Sequence, residues 1–195
     1  DGNSRFFESG VNGFIIAESI SKSLIKKAVA ISINGIQRDL CDLIDDDAEV
    51  EIITNDSHAG LEIMRHTLTA QVLALALKNL YPSARLAIGP TIENGFYYDF
   101  DLDVSFSEDS LVSIENKMKE LSKKNQEIHR YEVSASKAVS IFEKLGESYK
   151  VEIVGQINPE DTISLYKQSD FTDLCRGPHV SNTSKIKYFK LLSTS

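Results

Sequence analysis

Thr54-Asn55-Asp56-Ser57 divides this sequence of 195 residues into two parts. The four residues are polar and favour turns, and the last of them can cap a following helix. Behind them, apolar side chains recur at helical spacing over residues 60–80, and Pro82 ends the pattern. We therefore predict a domain boundary here, with a first domain over residues 1–56 and a second over residues 57–195.

The first domain combines short strand patterns with one helical pattern. The helical pattern covers residues 15–27, and residues 29–33 alternate as a strand that ends at the hairpin signal Asn34-Gly35. Two further strands are predicted at residues 5–7 and 50–53. This order of elements predicts a ubiquitin-like (β-grasp) sheet with one helix across it.

The second domain alternates helical and strand patterns after its long first helix. Ser107 can cap a helix that runs to residue 126, and Ser134 can cap one that ends at Gly146. The aromatic segment over residues 87–100 favours a strand, a turn and a strand. Other strands are predicted at residues 150–154, 162–166, 171–175 and 185–192. The fold class is therefore α+β, with an antiparallel sheet and packed helices.

The composition limits the cellular setting and the partners. The formal net charge of -8 argues against a protein that binds nucleic acid by charge alone, although a local pocket for one end of an RNA is compatible with it. Two cysteines far apart in sequence form no disulfide framework, which fits the cytoplasm. Cys41 lies among apolar residues and is predicted to be in the core. No apolar run is long enough to span a membrane.

The segment from Asp173 to His179 holds most of the reactive chemistry. Its sequence, Asp-Leu-Cys-Arg-Gly-Pro-His, carries a carboxylate, a thiol and an imidazole within seven residues. Gly177-Pro178 disfavours both helix and central strand, so Cys175 and His179 are predicted to lie on a turn. Reactive groups gathered on a loop indicate a binding or catalytic site, and the bland alternative is a buried cysteine near a surface histidine.

Several blocks of the sequence together resemble the N-terminal half of bacterial threonyl-tRNA synthetases. The blocks are the small first domain, the long helix, residues 87–101, Gly146-Glu147-Ser148-Tyr149-Lys150 and residues 173–179, in this order. The resemblance covers essentially the whole chain. It implies that residues 1–56 are a TGS-like domain and that residues 57–195 are the editing domain. The sequence stops about where the family's aminoacylation domain would begin.

The resemblance implies the hydrolysis of mischarged seryl-tRNA. Serine lacks one methyl group of threonine, and one methyl discriminates by only about 1–3 kcal/mol. A second site that removes serine is therefore useful to a threonine–tRNA ligase. In the implied site, Cys175 and His179 line the pocket, His179 positions the attacking water and Asp173 recognises the substrate amine. The implied partner is a threonine tRNA carrying serine.

The resemblance also assigns residues that hold the substrate. Lys150 would contact the terminal ribose or its phosphate, and Tyr97 or Tyr98 would form a wall of the pocket. ATP, magnesium and zinc would belong to the aminoacylation domain, so no cofactor is predicted for this chain. A homodimer is predicted for the full-length protein through that same domain.

The long helix departs from the family at one point. The family places two histidines there, four residues apart, and counting back from Pro82 puts these positions at Thr67 and Gln71. The nearby His66 is five residues before Gln71, so the two would face different sides of a regular helix, whereas Thr67 and Gln71 would share a side. Either both histidines are lost, or a one-residue bulge brings His66 into place.

Loss of the histidine pair would weaken both metal binding and catalysis. Only two strong ligands would remain, so no metal site is predicted. Gln71 can hydrogen-bond a water but cannot take its proton. The leading hypothesis is an editing domain with Thr67, Gln71 and His66 among its substrate-binding residues. The alternatives are a non-catalytic module that binds the acceptor end of tRNA, and a freestanding hydrolase, which the similarity to a longer family disfavours.

Overall fold

The computed structural model describes residues 2–103 and 106–194, which form two compact units. The first unit contains the chain up to Met64 together with Gly177–Ser181, and the second contains Arg65–Arg176 with the residues from Asn182 onward. Among the described residues, no helix is both long and apolar enough to cross a membrane.

The first unit is built from five short strands and two helices before the long helix begins. Its main sheet has three antiparallel strands in the order β3-β2-β5, and β1 pairs separately with β4. Ile16 and Ala17 of α1 pack with Ala28 and Ile31 of β2 in an apolar core. The elements are β1 (Val11–Asn12), α1 (Gly13–Ile20), α2 (Lys22–Lys27), β2 (Ala28–Ile33), β3 (Ile36–Arg38), β4 (Leu43–Ile44) and β5 (Val50–Thr54).

The hairpin signal of the first unit is confirmed, and three other local predictions are wrong. Asn34 and Gly35 adopt φ angles of 51° and 80° and join β2 to β3. Residues 5–7 form no strand. The pattern over residues 15–27 forms two helices rather than one, because Ser21 ends the first helix and caps the second, where its side chain accepts the Leu24 N–H. Cys41 is exposed rather than buried.

A tight turn explains the exposure of Cys41. The Asp42 N–H donates to the Asp39 carbonyl, and Leu40, inside this turn, fills the core. Only one of two neighbouring residues in such a turn can point inward, and the larger apolar side chain takes that place.

The long helix is continuous but contains a π-helical turn. It consists of α3 (His58–Thr67), a π segment over Leu68–Leu73, called the π-turn below, and α4 (Ala74–Leu80). The Ser57 hydroxyl accepts the Gly60 N–H at the start, as the capping pattern predicts. Within the π-turn, each amide bonds five residues back, so the turn holds about one more residue than an α-helical turn.

The second unit contains the remaining helices and strands. A three-stranded antiparallel sheet has the order β10-β11-β12, and two small strand pairs, β6-β9 and β7-β8, precede it. Phe142, Val154 and Leu165 form an apolar cluster between this sheet and its helices. The elements are β6 (Arg85–Leu86), β7 (Thr91–Ile92), β8 (Gly95–Phe96), β9 (Phe100–Asp101), α5 (Glu108–Lys123), β10 (Ile128–Ser134), α6 (Ala135–Leu145), α7 (Ser148–Gly155), β11 (Thr162–Gln168) and β12 (Phe171–Leu174).

The α+β fold class is confirmed, and the helix ends of the second unit follow their sequence signals. Ser107 and Ser110 form a capping box at α5, and Ser134 caps α6. Gly146 ends α6 in the left-handed conformation at φ 71°. The aromatic segment forms the short pair β7-β8 rather than two long strands.

Two strand predictions in the second unit are wrong, and one strand was not predicted. Residues 150–154 lie in helix α7, because Val151 and Val154 are spaced by three and both pack on the Phe142 cluster. Residues 185–192 form no strand, and a short 3-10 turn at Thr183–Lys185 precedes them. Strand β10 was missed, because its Arg, Glu and His residues mask its strand pattern.

Candidate functional site

The π-turn lies beside the residues that the sequence singled out on β12. His66 lies two residues before this segment of the helix, and its Nε2 atom lies 2.9 Å from the Cys175 Sγ. In a π-turn, side chains five residues apart take the relation that residues four apart have in an α-helix. The regular-helix geometry that we assumed for His66, Thr67 and Gln71 therefore does not hold, and a bulge is present, as the second alternative required.

The imidazole of His66 lies in a mostly buried position. Burial disfavours the charged ring and lowers the pKa of His66 from its ordinary value. The ring is therefore neutral near pH 7 and has a lone pair that can accept a proton. An imidazolium paired with a Cys175 thiolate is disfavoured by the same burial.

Lys150 and Asp173 form an ion pair in the interior of the second unit. The Lys150 ammonium contacts the Asp173 Oδ1, and both side chains are almost fully buried. The Leu174 N–H also donates to this carboxylate, at 2.7 Å. Burial raises the pKa of the Asp173 carboxyl, and the charge of Lys150 opposes that change. A paired ammonium and carboxylate can bind a polar ligand, since each keeps further hydrogen-bonding capacity.

Tyr98 contributes a phenol near these charged groups, whereas Tyr97 points outward with 48% of its surface exposed. Burial raises the pKa of Tyr98, and the carboxylates of Asp173 and Glu147 add to this change. Its hydroxyl therefore remains protonated and can donate a hydrogen bond.

Gly89 allows the Tyr98 ring to approach the π-turn. A Cβ atom at this glycine would overlap both the Tyr98 ring and the methyl group of Thr69. Gly89 lies within residues 87–101, but its role as a packing contact between that segment and the helix was not predicted. The sequence signal for this role was the pair Gly89-Pro90 beside the aromatic run.

Glu147 is a second residue near this site whose role was missed. It is buried and forms an ion pair with Lys78, whose Nζ lies 2.7 Å from the Glu147 Oε1. Its other carboxylate oxygen accepts the Leu86 N–H. Its place directly before α7, in the block that ends at Lys150, was the available signal.

Thr67 and Gln71 are both fully buried in the long helix. The carboxamide of Gln71 has no hydrogen-bond partner on either Oε1 or Nε2 among the described residues. The fold therefore brings His66 next to Cys175 and Lys150 next to Asp173. The unpaired amide of Gln71 lies on the same helix as His66.

His179 belongs to the first unit. It is buried there, and its backbone N–H donates to the Asp39 Oδ1 at 2.8 Å. Near Asp39, the ligand atoms of Cys41 and Asp42 lie within 4.8 Å of its carboxylate. Exposed acidic turns commonly have such an arrangement without an ion, so we assign no metal to it.

Comparisons of the sequence with known proteins identify relatives of this chain. Residues 163–195 match the family described as the threonyl and alanyl tRNA synthetase second additional domain. The chain is 47% identical over 191 residues to threonine--tRNA ligases of Acidithiobacillus ferrooxidans and Hahella chejuensis, which covers 98% of this chain and 30% of each relative. It is 44% identical over 195 residues to that of Clostridioides difficile.

The chain thus spans about 30% of the length of the curated relatives that it matches. The match extends over both units, including the helix with the π-turn and the segment that contains Cys175. By descent, the chain is homologous to the N-terminal region of threonine--tRNA ligases.

Proposed function

We propose that the second unit hydrolyses the ester bond of mischarged seryl-tRNA. The observation that carries this proposal is the neutral imidazole of His66, with its Nε2 2.9 Å from the Cys175 Sγ, beside β12. The threonine--tRNA ligases that the chain resembles act on the same tRNA, and serine is the amino acid that such an enzyme confuses most easily with threonine.

The proposed reaction is a water attack on the ester carbonyl. The imidazole of His66, which is neutral, accepts a proton as the water oxygen bonds to the carbonyl carbon. The bond between that carbon and the ribose oxygen then breaks, and the ribose oxygen takes up the proton. The products are free serine and tRNA with a free terminal hydroxyl.

The remaining site residues hold the substrate in this proposal. Asp173 accepts hydrogen bonds from the serine ammonium, and Lys150 contacts the terminal ribose or phosphate while it stays paired with Asp173. The protonated hydroxyl of Tyr98 donates to the oxyanion that forms on the carbonyl. We keep Tyr97 as a residue at the outer edge and His179 as a second candidate for positioning water.

A second candidate function is a module that binds the acceptor end of tRNA without hydrolysing the ester. Gln71 favours it, because a carboxamide stands where the family has its second histidine and cannot accept a proton from water. Both functions use the same Lys150–Asp173 pair. They differ only in whether an ester is cleaved.

The wider context of the chain also remains a proposal. Residues 1–56 form a TGS-like β-grasp domain, which is supported by helix α1 packed on the β3-β2-β5 sheet, and residues 57–195 form the editing domain. The partner is a threonine tRNA, and the protein acts in the cytoplasm. The longer protein is a homodimer that attaches threonine to this tRNA in a reaction that uses ATP. An experimental structure of the chain with an acceptor-stem RNA tests the assignment of residues 1–56 as a TGS-like domain.

Single-turnover deacylation tests the hydrolytic function. The chain at high concentration is mixed with seryl-tRNA, and threonyl-tRNA serves as the substrate control. We expect selective release of serine and a loss of about 100-fold or more in the His66→Ala variant. His179→Ala reports whether the second histidine contributes.

His129→Ala is the matched control, because this histidine of the same unit is exposed on β10, where its Nε2 lies 3.0 Å from the Glu127 Oε2. Equal rates for the His66→Ala and His129→Ala variants would contradict the role of His66. Retained binding of an acceptor-stem RNA without any serine release would establish the second candidate.

A further inference from the structure

Gln71 is a fully buried glutamine whose carboxamide lacks partners. Its exposed fraction is 0%, and neither Oε1 nor Nε2 has a hydrogen-bond partner among the residues that the structure describes. The neighbouring Ala70 and Val72 are also buried. Two unpaired buried polar atoms destabilise the fold. Such a group calls for an explanation, and a bound molecule is one.

A second buried glutamine in the same unit shows how a protein usually satisfies a buried amide. Gln168 on β11 is also 0% exposed, but its Nε2 donates to the Gln126 Oε1 at 2.9 Å. Only the Gln168 Oε1 lacks a partner. The two glutamines are thus matched in type and burial, and they differ in whether the protein itself satisfies the amide.

The chemistry of a carboxamide limits what can satisfy it. The group offers two N–H donors and an oxygen with two lone pairs. A cation would pair only with the oxygen, and an anion would pair only with the N–H groups. A hydroxyl group both donates and accepts, so one water or one alcohol satisfies both ends of Gln71. A neutral hydroxyl is therefore the ligand that this amide fits.

The π-turn gives the amide a position relative to the proposed base. Gln71 is five residues after His66, and the i to i+5 hydrogen bonds of the π-turn bring residues with this spacing toward one face of the helix. His66 uses that face to reach Cys175. The π-turn therefore places Gln71 closer to the face that His66 uses than a regular α-helix would.

We propose that the Gln71 carboxamide is the receptor for one neutral hydroxyl group at the site of ester hydrolysis. The hydroxyl comes either from the attacking water or from the side chain of the serine that is removed. This inference rests on the proposed function for its substrate, but the unpaired amide is independent of it. As a receptor, Gln71 acts in binding and positioning and transfers no proton.

The first test uses thermal stability and needs no substrate. Replacement of an unsatisfied amide by an apolar side chain of similar size does not lower the Tm, and we expect Gln71→Met to raise it by up to about 2–4 °C. Gln168→Met is the control and is expected to lower the Tm, because it removes the bond to Gln126. A Tm loss in Gln71→Met equal to that in Gln168→Met would overturn the inference, since the amide would then serve the fold.

The second test identifies the source of the hydroxyl. Single-turnover hydrolysis of seryl-tRNA is compared with that of alanyl-tRNA, whose side chain has no hydroxyl. If Gln71 binds the serine hydroxyl, Gln71→Met slows only the seryl reaction, by roughly 5- to 10-fold, the effect of one hydrogen bond. If it binds the attacking water, both reactions slow. Unchanged rates with both substrates would overturn the inference.

A third measurement separates this inference from the proposed function. If the unaltered chain cleaves neither ester, the proposed hydrolysis fails, and binding of non-hydrolysable amide analogues of seryl- and alanyl-adenosine is measured instead. Weaker binding of only the seryl analogue by Gln71→Met supports the receptor. Equal affinities of the two proteins for the seryl analogue, in a chain without hydrolysis, refute it.

Discussion

The two units differ in what they bury. The first unit buries aliphatic side chains such as Ile16, Ile31 and Leu40. It also buries His179 and Asp39, which share a hydrogen bond, whereas the ion pair Lys27–Asp56 lies on its surface. The second unit has comparable apolar clusters, but it also buries the Lys150–Asp173 pair and the unpaired amide of Gln71.

This difference indicates where the chain accepts a loss of stability. A buried ion pair rarely stabilises a fold more than apolar residues of the same size would, and an unpaired amide destabilises it. Groups of this kind gather at sites where the protein binds or transforms a ligand. The contrast between the units therefore supports placing the chemistry in the second one, and four predictions test it.

The largest effect is expected when the buried ion pair loses one member. Lys150→Met leaves the Asp173 carboxylate buried without its cation, and we expect the second unit to lose about 3–5 kcal/mol of its free energy of unfolding. Urea unfolding measures this loss. The double variant Lys150→Met with Asp173→Leu should recover most of it.

The surface pair of the first unit is the control for that experiment. Lys27→Met should leave the urea midpoint unchanged, because Lys27 and Asp56 are more than half exposed. If the Lys150→Met change were as small as the Lys27→Met change, the contrast between buried and exposed pairs would be wrong.

Removal of apolar volume should destabilise the first unit by a slightly smaller amount. Leu40 is 1% exposed and lies against Gly13 of helix α1. Leu40→Ala should cost about 2–5 kcal/mol in urea unfolding, from lost burial and the cavity that remains. Leu43, three residues later in the chain, is 62% exposed, and Leu43→Ala should change little. Comparable losses in both variants would show that this turn packs differently.

A smaller effect is expected at the glycine beside the π-turn. Gly89→Ala places a methyl group against the Tyr98 ring and the Thr69 methyl, and overpacking of this kind costs about 1–3 kcal/mol. Thermal unfolding measures the cost. Gly95→Ala is the matched control, since a Cβ there meets no atom within 4 Å among the described residues. A harmless Gly89→Ala variant would contradict the close approach of Tyr98 to the helix.

The smallest effect concerns the pH dependence of stability. Burial lowers the folded-state pKa of His66 below its ordinary value of 6.5, so the unfolded chain takes up this proton first as the pH falls. Stability from His66 is therefore present above pH 6.5 and decreases below it, by at most about 1.4 kcal/mol per pH unit. His66→Asn should flatten this acid limb in urea unfolding, and the exposed His129→Asn should not. Parallel curves for all three proteins would contradict the burial of His66.

Local signals predicted the ends of elements better than their interiors. Ser107, Ser134 and Gly146 stop or start helices as expected, because caps and left-handed glycines depend on a few adjacent residues. Residues 150–154 were mistaken for a strand because their apolar spacing suits a helix and a strand alike. Only the packing of Val154 on the Phe142 cluster decides between the two, and packing is not a local property.

The candidate site was predictable in its members but not in their arrangement. Asp173, Cys175 and Lys150 were identified by their chemistry and by the resemblance, and their roles remain predictions. The sequence left open whether His66 faces the site, because the spacing of residues does not show whether a helix contains a π-turn. The unpaired state of Gln71 also became visible only when every neighbour had a position.

The π-turn has a consequence for how this helix tolerates changes in length. Leu68–Leu73 accommodates an additional residue without interrupting the helix, so α3 and α4 on either side stay within one continuous rod. A one-codon deletion inside this segment would restore regular α-helical winding and keep both ends in place. Gene variants that differ by one codon here can therefore encode the same helix, and the difference in length is taken up within the π-turn, after His66.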